Sequence, residues 1–310
     1  MRLIDWLLIS VLFLGLIAGR KNLENKSPFT QENPRRPPIQ KFQKSGDLQL
    51  WERETYNWKS ISPKQAPSKI AAYDLVSPHL NKEGTIESFK KKYSSVGSAF
   101  SLSKSGIWLT AAHVVRDCSQ VSIQIHQMGY LPVVKVSFHP KADIAVLFTR
   151  LGSKAMEFEP AEVPGDSFSI GFPQAFPGAV HSRFLGTMKL HHKIIGQKYA
   201  GFREIVNVWG EISRVSRYSG SLGGLSGGAV LNKDGNLTGV VQAENVRRAR
   251  IFTSRKTLIK ELLKTENLNF PTISTRLPTA ILNSETYHLI ARQHILNKTV
   301  AKVNCKISPL

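Results

Sequence analysis

The chain has 310 residues, 41% of them hydrophobic, enough for one two-lobed domain of ordinary size with extensions. A formal net charge of +20 favours anionic surfaces, yet no nucleic-acid-binding module, zinc-ligand spacing or basic-aromatic groove is present. The charge therefore reads as a solvated basic surface, with no nucleic acid and no metal expected. Cys118 and Cys305 are too few for a disulfide scaffold. They either pair in an oxidising compartment, tying the tail to the loop after His113, or remain two independent thiols.

Residues Trp6 to Gly19 are almost wholly apolar, interrupted only by Ser10, with Arg2 and Asp5 before them and Arg20-Lys21 after. With Leu3 and Ile4 the run approaches the roughly 20 residues of a membrane span. It also has the length of a signal-peptide core. Cleavage after Ala18 would put Leu16 where a small residue is preferred, so the expectation is an uncleaved signal anchor or signal peptide over residues 1–20, with a hydrophobic N-terminal helix. Basic residues on both sides leave its orientation open. Residues 21–72 read as a basic linker, because Pro28, Pro34, Pro37, Pro38, Pro63 and Pro67 keep such a chain extended and oppose a packed core.

A folded domain is expected over residues 73–268. Gly97 to Leu102 alternates, Ser103-Lys104-Ser105-Gly106 turns, and Ile107 to Thr110 returns as a hairpin. Val121–Ile125, Leu131–Phe138 and Asp143–Phe148 complete a first lobe of short antiparallel strands. A second lobe starts near Asp166. Its strands are Ser167–Phe172, Ser182–Leu190, Ile205–Val215, Ala229–Leu231 and Leu237–Val241, the last two joined by Asn232-Lys233-Asp234-Gly235-Asn236. Ser254 is expected to cap a helix with Leu258, Ile259, Leu262 and Leu263 on one face. In the tail, 269–310, a short helix from Ser284 to Leu296 precedes a strand-like end, and no role is readable.

The chemistry gathers at Gly224-Leu225-Ser226-Gly227-Gly228, one hydroxyl in a glycine backbone that can turn sharply and aim N–H groups at one point. Alone, the string fits the G-x-S-x-G of α/β-hydrolases, the G-x-S-G-G of trypsin-like proteases, or a plain glycine-rich loop. Order decides between the hydrolases, since an α/β-hydrolase carries its acid and then its histidine after the serine. Here Asp234 lies in a hairpin turn, and His288 and His294 lie in the helix-like tail. Upstream, Thr110-Ala111-Ala112-His113 closes one apolar run and His139-Pro140-Lys141-Ala142-Asp143 opens another. His, Asp, Ser is the order of chymotrypsin.

On these three motifs the stretch from about Val96 to Leu263 resembles the trypsin-like serine proteases, most of all the bacterial branch of HtrA/Deg proteases. The resemblance implies an all-β fold: two antiparallel β-barrels of chymotrypsin type with a C-terminal helix. The tail is too short for the PDZ module that HtrA proteins carry. It implies Ser226 as nucleophile, His113 as general base and Asp143 as the acid that orients it. Asp117 is too close to His113 and Asp166 lies across the lobe boundary. The backbone N–H groups of Gly224 and Ser226 would form the oxyanion hole.

Gly220 stands where the trypsin branch carries its pocket acid, and Gln242, Ala243 and Glu244 should line the pocket wall. That pattern favours a small or apolar preferred residue, with Glu244 as a rim charge. Leu225 stands where many members have Asp or Asn, so no N-terminal ion-pair activation is expected, and Ala229 replaces the usual Pro. The implied activity is a serine endopeptidase with protein or peptide substrates and no cofactor. The chain would be anchored in a bacterial cell envelope, with the protease domain periplasmic or extracellular. The alternatives are a chymotrypsin-fold binding module without turnover and an esterase using the same serine.

Overall fold

The computed structural model describes residues 64–65, 83–88, 93–125, 129–156, 165–195, 201–217, 220–268 and 282–308. The expected signal anchor and almost all of the linker lie outside them. Two short strands come first, β1 (Lys64–Gln65) and β2 (Glu83–Ser88). The first lobe holds β3 (Ser95–Ser103), β4 (Ile107–Thr110), a single helical turn α1 (Ala112–Val115), β5 (Gln120–Ile125), β6 (Gly129–Pro132), β7 (Lys135–Phe138) and β8 (Ala145–Phe148). The second holds β9 (Asp166–Gly171), β10 (Gly178–Ile194), β11 (Gly201–Val215), β12 (Ala229–Leu231), β13 (Leu237–Asn245) and β14 (Arg250–Ser254). Then follow α2 (Lys256–Thr265), α3 (Tyr287–Leu296) and β15 (Val300–Lys306).

The second sheet runs β1-β11-β14-β13-β12-β9-β10-β2, and an added β10–β11 pairing closes its middle into a barrel. The first runs β6-β5-β15-β3-β4-β8-β7. It is closed by the bend between β6 and β7: Val133 N–H donates to Val121 O at 3.0 Å and Val134 N–H to Phe148 O at 2.8 Å. What reads as one strand from Leu131 to Phe138 is thus a bent strand serving both ends of the sheet. Two β-barrels are the architecture the resemblance implies.

The strand-like end of the tail is a central strand. β15 lies between β3 and β5, with Val303 opposite both Gly97 and Ile123. Val300, Ala301, Val303 and Cys305 are almost fully buried. Cys305 and Cys118 form a disulfide. Ahead of it, α3 buries Tyr287, Ala291 and Ile295, and Tyr287 packs against Phe168 of the second barrel at 5.8 Å between ring centroids. The tail therefore docks on one lobe and completes the other.

Ser254 does not cap α2. It ends β14, and its Oγ accepts the Val240 N–H at 3.2 Å, while Arg255 holds the N-cap position without capping the helix through its side chain. Pairing within the sheet has taken the hydroxyl that sequence propensity assigned to the helix.

Candidate active site

At the end of β4 the chain turns through Ala111 into α1, which carries His113 out of the core with 41% of its side chain exposed. Ala111 and Ala112 are fully buried, and their small size lets the serine loop press against them. A Cβ on Gly227, whose φ is +84°, would lie 2.0 Å from Ser98 O and 3.0 Å from Ala111 N. Only glycine fits there.

Asp143 ends a tight turn in which His139 N–H donates to Ile144 O at 3.0 Å. Its carboxylate takes the His113 backbone N–H on Oδ1 at 2.8 Å and the ring Nδ1 on Oδ2 at 2.6 Å. Backbone and ring are fixed together. With Nδ1–H donating to the carboxylate, Nε2 is left as the basic nitrogen. Burial by itself would raise the Asp143 carboxyl. The charge and hydrogen bonds of His113, with the charge of His192, outweigh that and hold it at about 2. It is ionised at neutral pH.

The serine loop shows which backbone donors are in use. Leu222 N–H goes to Glu244 Oε1 at 2.7 Å and Gly223 N–H to Ser221 Oγ at 3.0 Å. Leu225 N–H goes to Leu222 O at 2.8 Å, Gly227 N–H to Val241 O at 2.7 Å and Gly228 N–H to Leu225 O at 2.8 Å. The N–H groups of Gly224 and Ser226 have no acceptor among the described residues. Gly224 adopts φ +96°, and a Cβ there would lie 2.5 Å from Phe172 O. The peptide before it is turned so that Gly223 O accepts Gln174 N–H, which points the Gly224 N–H the opposite way.

Ser98, fully buried on β3, ties this loop to the first lobe. Its N–H donates to Ser226 O and its Oγ to Gly224 O, both at 2.8 Å. Leu225, 1% exposed, is sunk among Val180, Trp209, Leu222, Val230, Val241 and Ile251. Apolar packing anchors the residue that is acidic or amidic in many of the proteases the sequence resembles.

The Ser226 hydroxyl donates to the carbonyl of Gln242 at 3.1 Å rather than to His113. Gln242 leads to a buried polar cluster that the sequence did not reveal. Glu204 on β11, with no side-chain exposure, accepts the Asp143 backbone N–H on Oε1 at 3.1 Å. It also takes the Gln242 amide on both oxygens, at 3.1 and 3.0 Å. His192 Nε2 lies 2.8 Å from Glu204 Oε1, a close contact not aligned as a hydrogen bond. The available signal was an alternation: on β11, Glu204 falls on the inward phase with Val206 and Val208, while Ile205 is 47% exposed.

The other expected pocket residues have separate partners. Glu244 holds the loop ahead of the serine, through Ser221 Oγ and Leu222 N–H, so it acts as more than a rim charge. Gly220 is exposed, and its carbonyl accepts Arg214 Nη1 at 2.5 Å. Ala243 pairs with Phe252. Asp166 binds His181 at 2.9 Å and Arg183, away from the His113–Asp143 pair. Among the described residues no group of His, Cys, Asp and Glu could hold a metal ion.

A family model described as a trypsin-like peptidase domain matches residues 97–240, a stretch containing His113, Asp143 and Ser226. The chain thus carries a trypsin-like peptidase domain, and the protein is a serine-type peptidase. Similar solved structures include the active form of the Rv3671c protease from M. tuberculosis, 18% identical with a TM-score of 0.47, covering 70% of this chain and 93% of that one. Another is the HtrA-type protease AlgW with a decapeptide, 21% identical with a TM-score of 0.42, covering 55% of this chain and 50% of that one. A third is the MamO protease domain from Magnetospirillum magneticum, 17% identical with a TM-score of 0.39, covering 54% and 93%. No curated protein matches the chain.

Proposed function

We propose that the protein is an endopeptidase that cleaves peptide bonds through an acyl-enzyme, with Ser226 as nucleophile, His113 as general base and Asp143 as its orienting acid. One observation carries this reading. Of the loop N–H groups from Leu222 to Gly228, only those of Gly224 and Ser226 are unpaired, and they flank the hydroxyl. An orphaned pair of donors beside an alcohol suits an oxyanion.

In the forward step the hydroxyl turns from Gln242 O to His113 Nε2. Oγ bonds to the scissile carbonyl carbon as Nε2 takes its proton, and the oxyanion settles on the two N–H groups. The C–N bond then breaks, with His113 returning the proton to the leaving amine. Water, deprotonated by the same nitrogen, releases the acid and restores Ser226. Asp143 keeps its charge throughout and stabilises the imidazolium. With the Glu244 carboxylate engaged by the loop, the reading keeps a small or apolar residue before the cleaved bond.

The protein would sit in a bacterial envelope, held by residues 1–20, with its domain outside the cytoplasm. The Cys118–Cys305 disulfide supports an oxidising compartment. Among the described residues no helix is long and apolar enough to cross a membrane, and residues 1–20 are not among them.

A fluorophosphonate probe and casein digestion test the chemistry. Wild type should label and digest; Ser226→Ala should do neither, and His113→Ala should lose at least about a thousandfold in rate. Full activity in His113→Ala would mean that another group is the base. Hydrolysis of simple esters without peptide cleavage would favour an esterase.

A further inference from the structure

We propose that Glu204 is a positioning residue for the hydrolytic site, a buried carboxylate that holds the His113–Asp143 pair of the first barrel in register with the Ser226 hydroxyl of the second. The proposal rests on the assignment of those three residues.

Glu204 joins the two lobes. Asp143 belongs to the first lobe and Gln242 to the second, and the carboxylate lies between them. It takes the Asp143 N–H at 3.1 Å and the Gln242 amide at 3.1 and 3.0 Å. Neither end is a bystander. Asp143 fixes the ring and backbone of His113 through both its oxygens. Gln242 presents the carbonyl that accepts the Ser226 hydroxyl at 3.1 Å. One side chain therefore links the residue that orients the base to the residue that holds the nucleophile.

A carboxylate at this buried position carries its own demands. A fully buried anion needs donors or a counter-charge. Glu204 has the two N–H sources, and His192 lies beside it, stacked on Phe202 at 4.4 Å between centroids. An apolar side chain would fill the space but leave the Asp143 N–H and the Gln242 amide without partners in a dry interface. An amide could replace only part of the set. Closing both contacts from one rigid strand holds the two lobes at a fixed spacing across the reacting atoms. A misplacement of about 1 Å at such a site can lower a rate on the order of a hundredfold.

Strand register delivers the side chain to this place. β10 and β11 pair with Leu190 opposite Glu204 and His192 opposite Phe202. The same hairpin thus supplies the carboxylate and the imidazole beside it.

The test compares Glu204→Leu, which keeps bulk without an acceptor, with Glu204→Gln, which keeps one oxygen for the Asp143 N–H. Both are measured in the full chain beside Ser226→Ala, by fluorophosphonate labelling and by kcat and KM on a synthetic peptide spanning a casein cleavage site. Glu204→Leu should lower kcat and the labelling rate about ten- to a hundredfold, with KM within about twofold of wild type. Glu204→Gln should recover kcat to within about threefold. A purely structural role predicts a lower melting temperature with kcat unchanged in folded protein. That result, or a Glu204→Gln variant as slow as Glu204→Leu, overturns the proposal. If Glu204→Leu does not fold, Gln242→Leu severs the second-lobe arm alone; reduced kcat supports the proposal, and wild-type kcat overturns it. Absence of labelling in wild type, or turnover by Ser226→Ala, would instead remove the assignment of the serine, and this proposal with it.

Discussion

The second barrel closes with strands that lie between residues 166 and 254, whereas the first draws a central strand from residues 300–306 at the far end of the chain. Each strand of the second ring has a neighbour joined to it by a hairpin or short loop: β9 to β10, β10 to β11, β12 to β13, β13 to β14. In the first, β3 has β4 on one edge, but its other edge and that of β5 are both satisfied by β15. The lobe that carries His113 and Asp143 is thus incomplete until the last residues are in place. The lobe that carries Ser226 is not. Local contacts form before loop closure over long separations is repaid, so the two halves should differ in folding order and in what breaks them.

The largest effect should come from removing residues 297–310. Without β15, the inner edges of β3 and β5 lose their partners and the buried Val300, Ala301 and Val303 vanish from the core. The expected outcome is loss of essentially all casein digestion and of cooperative unfolding by circular dichroism. A truncated protein that stays monomeric and active would show that the first barrel closes by itself. Next in size is Cys305→Ser. The disulfide spans a sequence separation of 187, and its loss should lower stability by about 2–5 kcal/mol in chemical denaturation. The loss should be confined to the first lobe, with labelling of Ser226 retained below the new midpoint. An unchanged midpoint would mean that strand pairing alone holds the tail.

The same contrast explains what the sequence could and could not disclose. The serine loop was legible because its demands are local: Gly224 and Gly227 sit at positive φ, which favours glycine whatever surrounds it. His113 was legible from the small residues ahead of it, and the turn at Asn232–Asn236 from its Asn and Gly. β15 read only as strand-like, because nothing in Val300–Lys306 says which edge it joins. The cysteines could not be paired for the same reason. Glu204 was missed because its sidedness is set by pairing with β10, and the expected strand began one residue later, at Ile205. Ser254 was assigned to a helix cap because its sheet partner, Val240, is likewise remote from a local reading. What depended on neighbours in the chain was readable; what depended on register was not.

The smallest effect, that of Tyr287→Phe, sharpens the comparison at the tail's other anchor, on the barrel that needs no help to close. Tyr287 is fully buried beside Phe168 and His181, and its hydroxyl lies 3.3 Å from Ser213 Oγ. Burial drives its acidity down, and with the charge of Glu211 outweighs the Ser213 hydrogen bond, so the phenol is pushed up to about 12 and stays neutral. The contact to Ser213 is thus an ordinary neutral hydrogen bond, and Tyr287→Phe should cost about 1 kcal/mol. Tyr287→Ala also removes the ring, and by the cost of emptying a core site should reach about 3–5 kcal/mol. Neither should alter the labelling rate of Ser226 in folded protein, because the ring touches the far side of β9 and β10 from the serine loop's apolar cluster. If Tyr287→Ala instead costs as little as Tyr287→Phe, α3 contributes little by packing. The tail would then act through its strand alone, and the two lobes would differ still more sharply in their dependence on it.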